Sequence, residues 1–113
     1  MDESVRGRAK RVLVVGASSG EHGVAPHAAV APDGLLIVIE SDPARAAELR
    51  LTYQSDALGS RCTVIGGDPR RILYKIAGPF DVIFCASQHL AVRPVLQELL
   101  APDGVLITNG NTT

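Results

Sequence analysis

Short apolar runs recur along this chain, each separated from the next by a longer segment of mixed polarity. The five runs cover residues 11–15, 35–39, 62–65, 81–85 and 105–108. They are rich in Val, Ile and Leu, and they lack the polar–apolar alternation of a half-exposed strand. Continuous apolar runs of this length are typical of strands covered on both faces of a parallel sheet. We therefore predict five parallel strands.

The intervening segments carry helix signals. Asp42 and Pro43 supply an N-cap and a first-turn proline for a helix that runs to about residue 51. A short helix is expected over 72–76, and Pro94 opens a further helix with an apolar stripe at helical spacing. Strands that alternate with helices imply right-handed crossovers and an α/β fold.

We predict a Rossmann-like parallel sheet of about five strands in the order 3-2-1-4-5, with helices on both faces. The order reverses between strands 1 and 4, so residues 16–18 and 86–89 should line the crevice where such sheets bind ligands. Residues 1–10 show no apolar periodicity and are predicted to form a flexible arm. Residues 11–113 would then form the single domain that 113 residues allow.

The tetrapeptide Ala-Pro-Asp-Gly occurs twice, at residues 31–34 and 101–104. Each copy precedes a predicted strand. Proline presets φ at the second position of a turn, and glycine releases the chain into the strand. We interpret the two copies as one turn used twice.

A glycine loop follows the first predicted strand directly. Gly16 and Gly20 allow the backbone to turn tightly and to approach a ligand. The second predicted strand ends in Glu40, close to the spacing at which dinucleotide and nucleoside folds place a carboxylate that accepts from ribose hydroxyls. The glycine loop and Glu40 together predict a nucleoside pocket. The less favoured alternative is a glycine turn that serves only the packing of the fold.

Composition and charge limit the kinds of partner that the chain is expected to bind. The formal net charge is −1 and aromatic residues make up 4% of the chain, which argues against nucleic acid as a partner. No apolar run reaches membrane-spanning length, and acidic Asp2 and Glu3 stand where a signal peptide would be basic, so we expect no membrane partner and a cytoplasmic protein. Cys62 and Cys85 fall at opposite ends of two strands and are predicted to be buried thiols.

Five motifs give the chain a resemblance to a known family. They lie at residues 12–20, 37–46, 64–68, 78–84 and 99–107, beginning with Val-Leu-Val-Val-Gly-Ala-Ser-Ser-Gly and Ile-Val-Ile-Glu-Ser-Asp-Pro-Ala-Arg-Ala. In this order they resemble class I S-adenosylmethionine-dependent methyltransferases, most closely the catechol O-methyltransferase-like family of small O-methyltransferases. The resemblance covers nearly the whole chain and implies S-adenosylmethionine as cofactor.

The resemblance also implies a role for the residues that match the family's cofactor site. The first loop would pass beside the methionine part, Glu40 would accept from both ribose hydroxyls, and Gly67 with Asp68 would border the adenine. The implied cofactor-binding residues are Gly16, Ala17, Ser18, Gly20, His22, Glu40, Ser41, Gly67, Asp68 and Ser87.

Other positions depart from the metal-dependent members of the family. Where these carry an aspartate ligand after strand 4 and a lysine a few residues later, this chain has Ala86 and His89. Strand 5, which should end in Asp-Asn, is followed by Asn109 and Gly110. Magnesium-type cations need hard anionic oxygens, so we predict no metal at this place.

Histidine is the remaining candidate for chemistry. His22 replaces a small hydroxyl residue in the cofactor loop and could donate to a carboxylate, although a solvated structural role is the alternative. His89 is the candidate general base near the crevice, because an imidazole can take up a proton near neutral pH. Its alternative is a surface residue at a helix N-terminus. We assign no catalytic residue and keep His89 as the candidate.

The family continues beyond strand 5 with a helix and two more strands, so the chain is expected to be a truncated relative. The strand at 105–108 would then present an apolar edge with unpaired backbone groups. We expect a homodimer or larger homo-oligomer that buries this edge.

Three functions are compatible with these observations. The first is a metal-independent O-methyltransferase of a small acceptor, and the second is a catalytically inactive module that acts through cofactor binding or oligomerisation. The third, an NAD(P)-binding short-chain dehydrogenase, would need a Tyr-x-x-x-Lys pair. Neither Tyr53 nor Tyr74 has a lysine four residues later.

Overall fold

The computed structural model describes residues 8–16, 30–54, 61–108 and 111–112. In these ranges the strands are β1 (Ala9–Val15), β2 (Val30–Glu40), β3 (Cys62–Gly66), β4 (Phe80–Cys85), β5 (Leu100–Thr108) and β6 (Asn111–Thr112). The helices are α1 (Pro43–Gln54), α2 (Pro69–Ile72) and α3 (Arg93–Leu99), with 3₁₀ segments at Leu73–Lys75 and Ser87–Val92. None of these helices is long and apolar enough to cross a membrane.

The described strands form one sheet in the order β3-β2-β1-β4-β5-β6. All pairings among the first five strands are parallel, and β6 runs antiparallel to β5. The predicted order 3-2-1-4-5 and the Rossmann-like class are therefore confirmed. The strand order reverses between β1 and β4, which places the expected crevice at the carboxyl ends of these two strands.

The outer end of β5 differs from the expectation of an open edge. Ile107 pairs with Thr112, and Thr108 pairs with Asn111. The expectation of an unpaired edge was therefore wrong at Ile107 and Thr108, because the two polar residues of β6 carry no hydrophobic pattern that would indicate a strand.

Both Ala-Pro-Asp-Gly copies lie inside strands, whereas we expected them to precede the strands. The residues before and after each copy are paired with the neighbouring strand. Between these two pairs the strand that contains the tetrapeptide advances five residues, whereas its partner strand advances two. The flanking pairs are Ala9–Val30 and Arg11–Leu35 for the first copy, and Phe80–Leu100 and Val82–Val105 for the second. β2 and β5 therefore begin earlier than predicted.

The same pairing extends β1 into the predicted N-terminal arm. Ala9 pairs with Val30 and is buried, so the strand begins two residues before position 11. The rest of the arm, residues 1–7, lies outside the described ranges, as does most of the segment between β1 and β2.

Apolar side chains pack on both faces of the sheet. Val12 and Val14 belong to one buried cluster, together with Tyr53 from α1. Leu13 and Val15 belong to a second cluster, which includes Leu96 of α3. Alternate residues of β1 thus enter opposite clusters, as expected of a strand covered on both faces.

The cysteines lie at the strand ends where they were expected, and no disulfide joins them. Cys85 ends β4 and is buried, whereas Cys62 begins β3 and is half-buried. The expectation of burial was wrong for Cys62, because β3 lies at the end of the strand order and is less covered than the centre of the sheet.

Candidate functional site

The carboxyl ends of the central strands are joined by backbone hydrogen bonds immediately beyond the paired residues. Three such bonds, each 2.9 Å long, run from Gly16 N to Ile39 O, from Gly67 N to Glu40 O and from Ala86 N to Val15 O. They hold the residues that follow β1, β3 and β4 against the strand ends. Gly16, Glu40, Gly67 and Ala86 therefore share one rim of the sheet.

Gly16 forms the sharp turn that the sequence predicts. Its φ is 74°, in the region that side chains rarely adopt. A Cβ at this position would overlap Cδ2 of His89 and would lie 2.9 Å from its Nε2. The backbone conformation therefore favours glycine here, and the His89 ring occupies the space that a side chain would take.

Glu40 ends β2 and is only 7% exposed. Its Oε2 accepts a 3.0 Å hydrogen bond from the backbone N–H of Asp42. Within the described ranges this is the only hydrogen bond to the carboxylate. A buried carboxylate is costly unless its oxygens find donors, so this position suits a ligand that supplies them.

A cavity of about 500 Å³ opens beside this rim. It is lined by Ser41, Asp68, Pro69, Arg70, His89, Ala91 and Val92. Its volume is in the usual range of small-molecule sites. Ser41, Asp68 and His89 were singled out from the sequence, whereas Arg70, Ala91 and Val92 were not.

Asp68 and Arg70 form an exposed pair at the cavity wall. Asp68 caps α2, because its Oδ1 accepts a 2.9 Å hydrogen bond from the backbone N–H of Arg70. The Arg70 guanidinium also donates to Oδ2 at 3.1 Å. The side-chain hydrogen bond from Arg70, followed by the bond from its backbone, lowers the pKa of Asp68 below its usual value. The ionised form of the carboxylate is thus favoured, and the hydrogen bonds from Arg70 orient it.

The sequence contains a signal that would have located Arg70. Asp68 and Pro69 repeat the Asp-Pro helix start recognised at residues 42–43. Helix α2 begins at Pro69, three residues before the helix predicted at 72–76. That start places Arg70 in the first turn and at the cavity.

His89 lies inside the 3₁₀ segment that follows β4. Its backbone N–H donates to the carbonyl oxygen of Ala86 at 2.9 Å, and its own φ of −111° and ψ of 15° break the helical geometry. The residue is half-buried, and its Nε2 is fully buried without a hydrogen-bond partner in the described part of the chain. The ring lies against Gly16, and the role of His89 stays a prediction.

This chain is similar to known proteins in its structure. No family model matches it, and no curated protein matches it. Solved structures do match. Cofactor-bound Rv0187 from MTB is 25% identical with a TM-score of 0.77, over 88% of this chain and 48% of that one. SAH-bound methyltransferase PaMTH1 from Podospora anserina is 23% identical with a TM-score of 0.76, over 90% and 46%. The O-methyltransferase of Bacillus cereus in complex with SAH is 21% identical with a TM-score of 0.76, over 88% and 49%.

The chain has a methyltransferase fold. The resemblance drawn from the sequence motifs is confirmed at this level. The chain spans about half the length of the structures that it matches.

Within this methyltransferase fold, some predicted site residues can be placed and others cannot. Gly16, Glu40, Ser41, Gly67 and Asp68 lie at the crevice or the cavity. Ser87 begins the 3₁₀ segment, and only its backbone is described. Ala17, Ser18, Gly20 and His22 lie outside the described ranges, as do Asn109 and Gly110.

The described residues form no group of three or more His, Cys, Asp or Glu side chains suited to a metal ion. Because Asn109 and Gly110 fall outside the described ranges, the prediction of no metal at this place stays a prediction.

Proposed function

We propose that this chain binds S-adenosylmethionine in the crevice at the carboxyl ends of β1 and β2 and acts as a methyltransferase-like protein. The observation that carries the proposal is the buried Glu40 carboxylate, which ends β2 close to the Gly16 turn. A carboxylate at this place is what a ribose diol requires in folds of this class. The cavity bounded by Ser41 and Asp68 adjoins it.

The residues present suit such a ligand in chemistry and size. Oε2 of Glu40 is held by Asp42, so the carboxylate is oriented and can still accept from hydroxyl groups. Hydrogen bonds to a charged acceptor contribute about 1.5–3 kcal/mol each. The solved structures with this fold include proteins crystallised with SAH, the product left when S-adenosylmethionine gives up its methyl group, which supports the same ligand here.

The bound cofactor would supply a methyl group on sulfonium for in-line transfer to a nucleophile. The role of this chain would be to hold the methyl donor and the acceptor in the reacting geometry. Such positioning alone supplies much of the rate enhancement in these reactions. Glu40 would fix the ribose, and the Gly16 turn would let the ligand approach the backbone. A small acceptor with a hydroxyl group is the proposed substrate class.

A second function, cofactor binding without methyl transfer, is favoured by one position. Ala86 follows β4 at the rim, and its side chain is fully buried. A methyl group there can neither bind a cation nor move a proton. The crevice would then serve recognition of the cofactor alone.

The binding proposal is tested by calorimetry with S-adenosylmethionine and with SAH. Glu40→Ala should weaken both ligands roughly tenfold to hundredfold, because each 1.4 kcal/mol lost changes the affinity about tenfold. Glu40→Gln keeps the size and tests the charge. Glu48→Ala is the matched control, since this exposed carboxylate of α1 is not among the residues that line the cavity. Equal affinities for wild type and Glu40→Ala, or no binding by wild type, would refute the proposal.

Methyl transfer is tested separately. Wild type is incubated with S-adenosylmethionine and a panel of small phenols and alcohols, and the SAH formed is measured. Turnover that Glu40→Ala lowers would support the methyltransferase. Binding without SAH formation across the panel would favour the second function.

Self-association is also proposed, through the outer edge of β5. Among the described residues, β6 pairs with only the last two residues of that strand, Ile107 and Thr108, and edge strands tend to recruit further strands. Sedimentation at micromolar concentration should show a dimer or larger species. A single monomer peak over that range would contradict it.

A further inference from the structure

The imidazole of His89 occupies the space directly over Gly16. Cδ2 and Nε2 form the edge of the ring that faces this glycine, and the Ala86 methyl group flanks the same spot, 3.1 Å from where a Cβ of residue 16 would be. Gly16 follows β1 directly, and a ligand can approach the backbone of a glycine closely because it has no side chain. The ring and such a ligand therefore require the same volume.

The position of the ring leaves a polar atom unsatisfied. Nε2 is buried and has no hydrogen-bond partner in the described part of the chain. A neutral imidazole needs a partner at each nitrogen, and burying one without a partner disfavours the arrangement. Turning the ring away from Gly16 and towards the cavity would let Nε2 reach water, so the buried arrangement of the ring is disfavoured by its unsatisfied nitrogen.

The backbone allows the ring to be placed there. His89 departs from helical geometry in the middle of the segment Ser87–Val92, while its N–H remains bonded to Ala86. The same residue lines the cavity beside Ala91 and Val92, so space for the ring exists on its other side. A rotation about the side-chain bonds would move the imidazole off Gly16 without breaking the backbone hydrogen bond.

We propose that the His89 imidazole competes with S-adenosylmethionine for the space over Gly16, so that the affinity of the crevice is set in part by turning this ring aside. The inference rests on the proposed function and concerns the regulation of the same site. A ligand contact is the opposing interpretation, but Nε2 cannot be reached while the ring covers Gly16. Competition and contact predict opposite effects of removing the ring.

The experiment compares wild type, His89→Ala and His89→Phe by calorimetry with SAH and by thermal unfolding without ligand. If the ring competes, His89→Ala should bind SAH roughly threefold or more tightly than wild type, because the fraction of binding-competent protein rises. His89→Phe keeps a ring of similar shape without the buried nitrogen. It should bind roughly threefold or more weakly and unfold at a higher temperature than wild type.

Each result decides one question. Weaker or unchanged binding by His89→Ala, with native circular dichroism, would overturn the competition. Tighter binding by His89→Phe would overturn it as well, even if His89→Ala fails to fold. Absence of SAH binding by wild type and both variants would refute the proposed function and this inference together, whereas binding by His89→Ala alone would support both.

Discussion

At the scale of single residues, the Asp81 carboxylate joins two strands at the amino-terminal end of the sheet. Oδ2 of Asp81 accepts hydrogen bonds from the backbone N–H groups of Lys10, at 2.9 Å, and Arg11, at 3.2 Å. Arg11 in turn donates to the carbonyl oxygens of Ala77 and Pro79 and lies 4.9 Å over the Phe80 ring. These contacts join β1 to the start of β4 where the strand register shifts.

Asp81→Ala should therefore destabilise the protein. Two backbone donors would lose a charged acceptor, and we expect a loss of about 1–3 kcal/mol in the free energy of unfolding. Urea denaturation measures it. Asp103→Ala is the control, because the side chain of this exposed residue makes no hydrogen bond within the described ranges. It should change stability by less than about 0.5 kcal/mol. Equal effects of the two substitutions would show that the Asp81 bonds add nothing.

Sequence reasoning located Glu40 but missed the contact between His89 and Gly16. The position of Glu40 follows from the end of a predicted strand and from its spacing to the glycine loop. Both can be read directly from the sequence. The His89 contact depends on the pairing of Val15 with Cys85 and on the turn that brings residue 89 back to Ala86. Neither the strand register nor the direction of a side chain after a kink is encoded by periodicity.

At the scale of elements, β2 and β5 each contain an Ala-Pro-Asp-Gly segment at which the strand pairing is interrupted. The glycine of each segment is closely packed. A Cβ on Gly34 would lie 2.7 Å from the carbonyl oxygen of Ala9, and one on Gly104 would lie 2.9 Å from that of Phe80. Each glycine faces the backbone of the partner strand at the same place in the repeat. The repeated tetrapeptide thus forms the same structure at two strand pairs. The sequence interpretation as a turn did not include the contact with the partner strand.

We expect Gly34→Ala and Gly104→Ala each to lower stability by about 1–3 kcal/mol, because the added methyl group must push backbone atoms apart. Gly34→Ala should be the more harmful, since its nearest backbone atom is closer. Gly66→Ala is the control: its Cβ would meet nothing nearer than 3.7 Å and should be tolerated. Thermal unfolding ranks the three variants. A Gly66→Ala effect as large as the other two would contradict the packing argument.

Helix α2 carries a pH dependence through its cap. The pKa of Asp68 is lowered in the folded protein, first by the side-chain hydrogen bond from Arg70. The stabilisation is therefore complete above the ordinary carboxyl pKa of 3.8 and is lost as the pH falls through the lower folded value. Asp68→Asn keeps a good cap without the charge.

The urea midpoints of wild type and Asp68→Asn should differ most near about pH 6 and converge as the pH falls below 3.8. The pKa of Asp33 is also lowered, by Lys10, but this pair is present in both proteins and cancels in the comparison. A gap that stays constant over this range would show that the charge on Asp68 does not stabilise the fold.

At the scale of the whole molecule, the sheet is most protected at its centre. β1 pairs with β2 on one side and β4 on the other, and Val12 to Val15 are fully buried. β3 pairs with β2 alone within the described ranges, and none of its residues is fully buried. The crevice lies at the carboxyl end of β1, so the candidate site is held by the most protected strand.

Amide hydrogen exchange should reveal this gradient. Amides of Val12 to Val15 should exchange only through global unfolding, because breaking their hydrogen bonds requires separation from a strand on each side. Of Val64 and Ile65, the residue whose amide is bonded to β2 should exchange at least roughly tenfold faster, through opening of the β3 edge alone. Addition of denaturant should then accelerate the β1 amides more steeply than those of β3, since global unfolding exposes more surface. Equal rates and equal denaturant slopes for the two strands would mean that the sheet opens as one unit and that β3 is no weaker than the strand beneath the site.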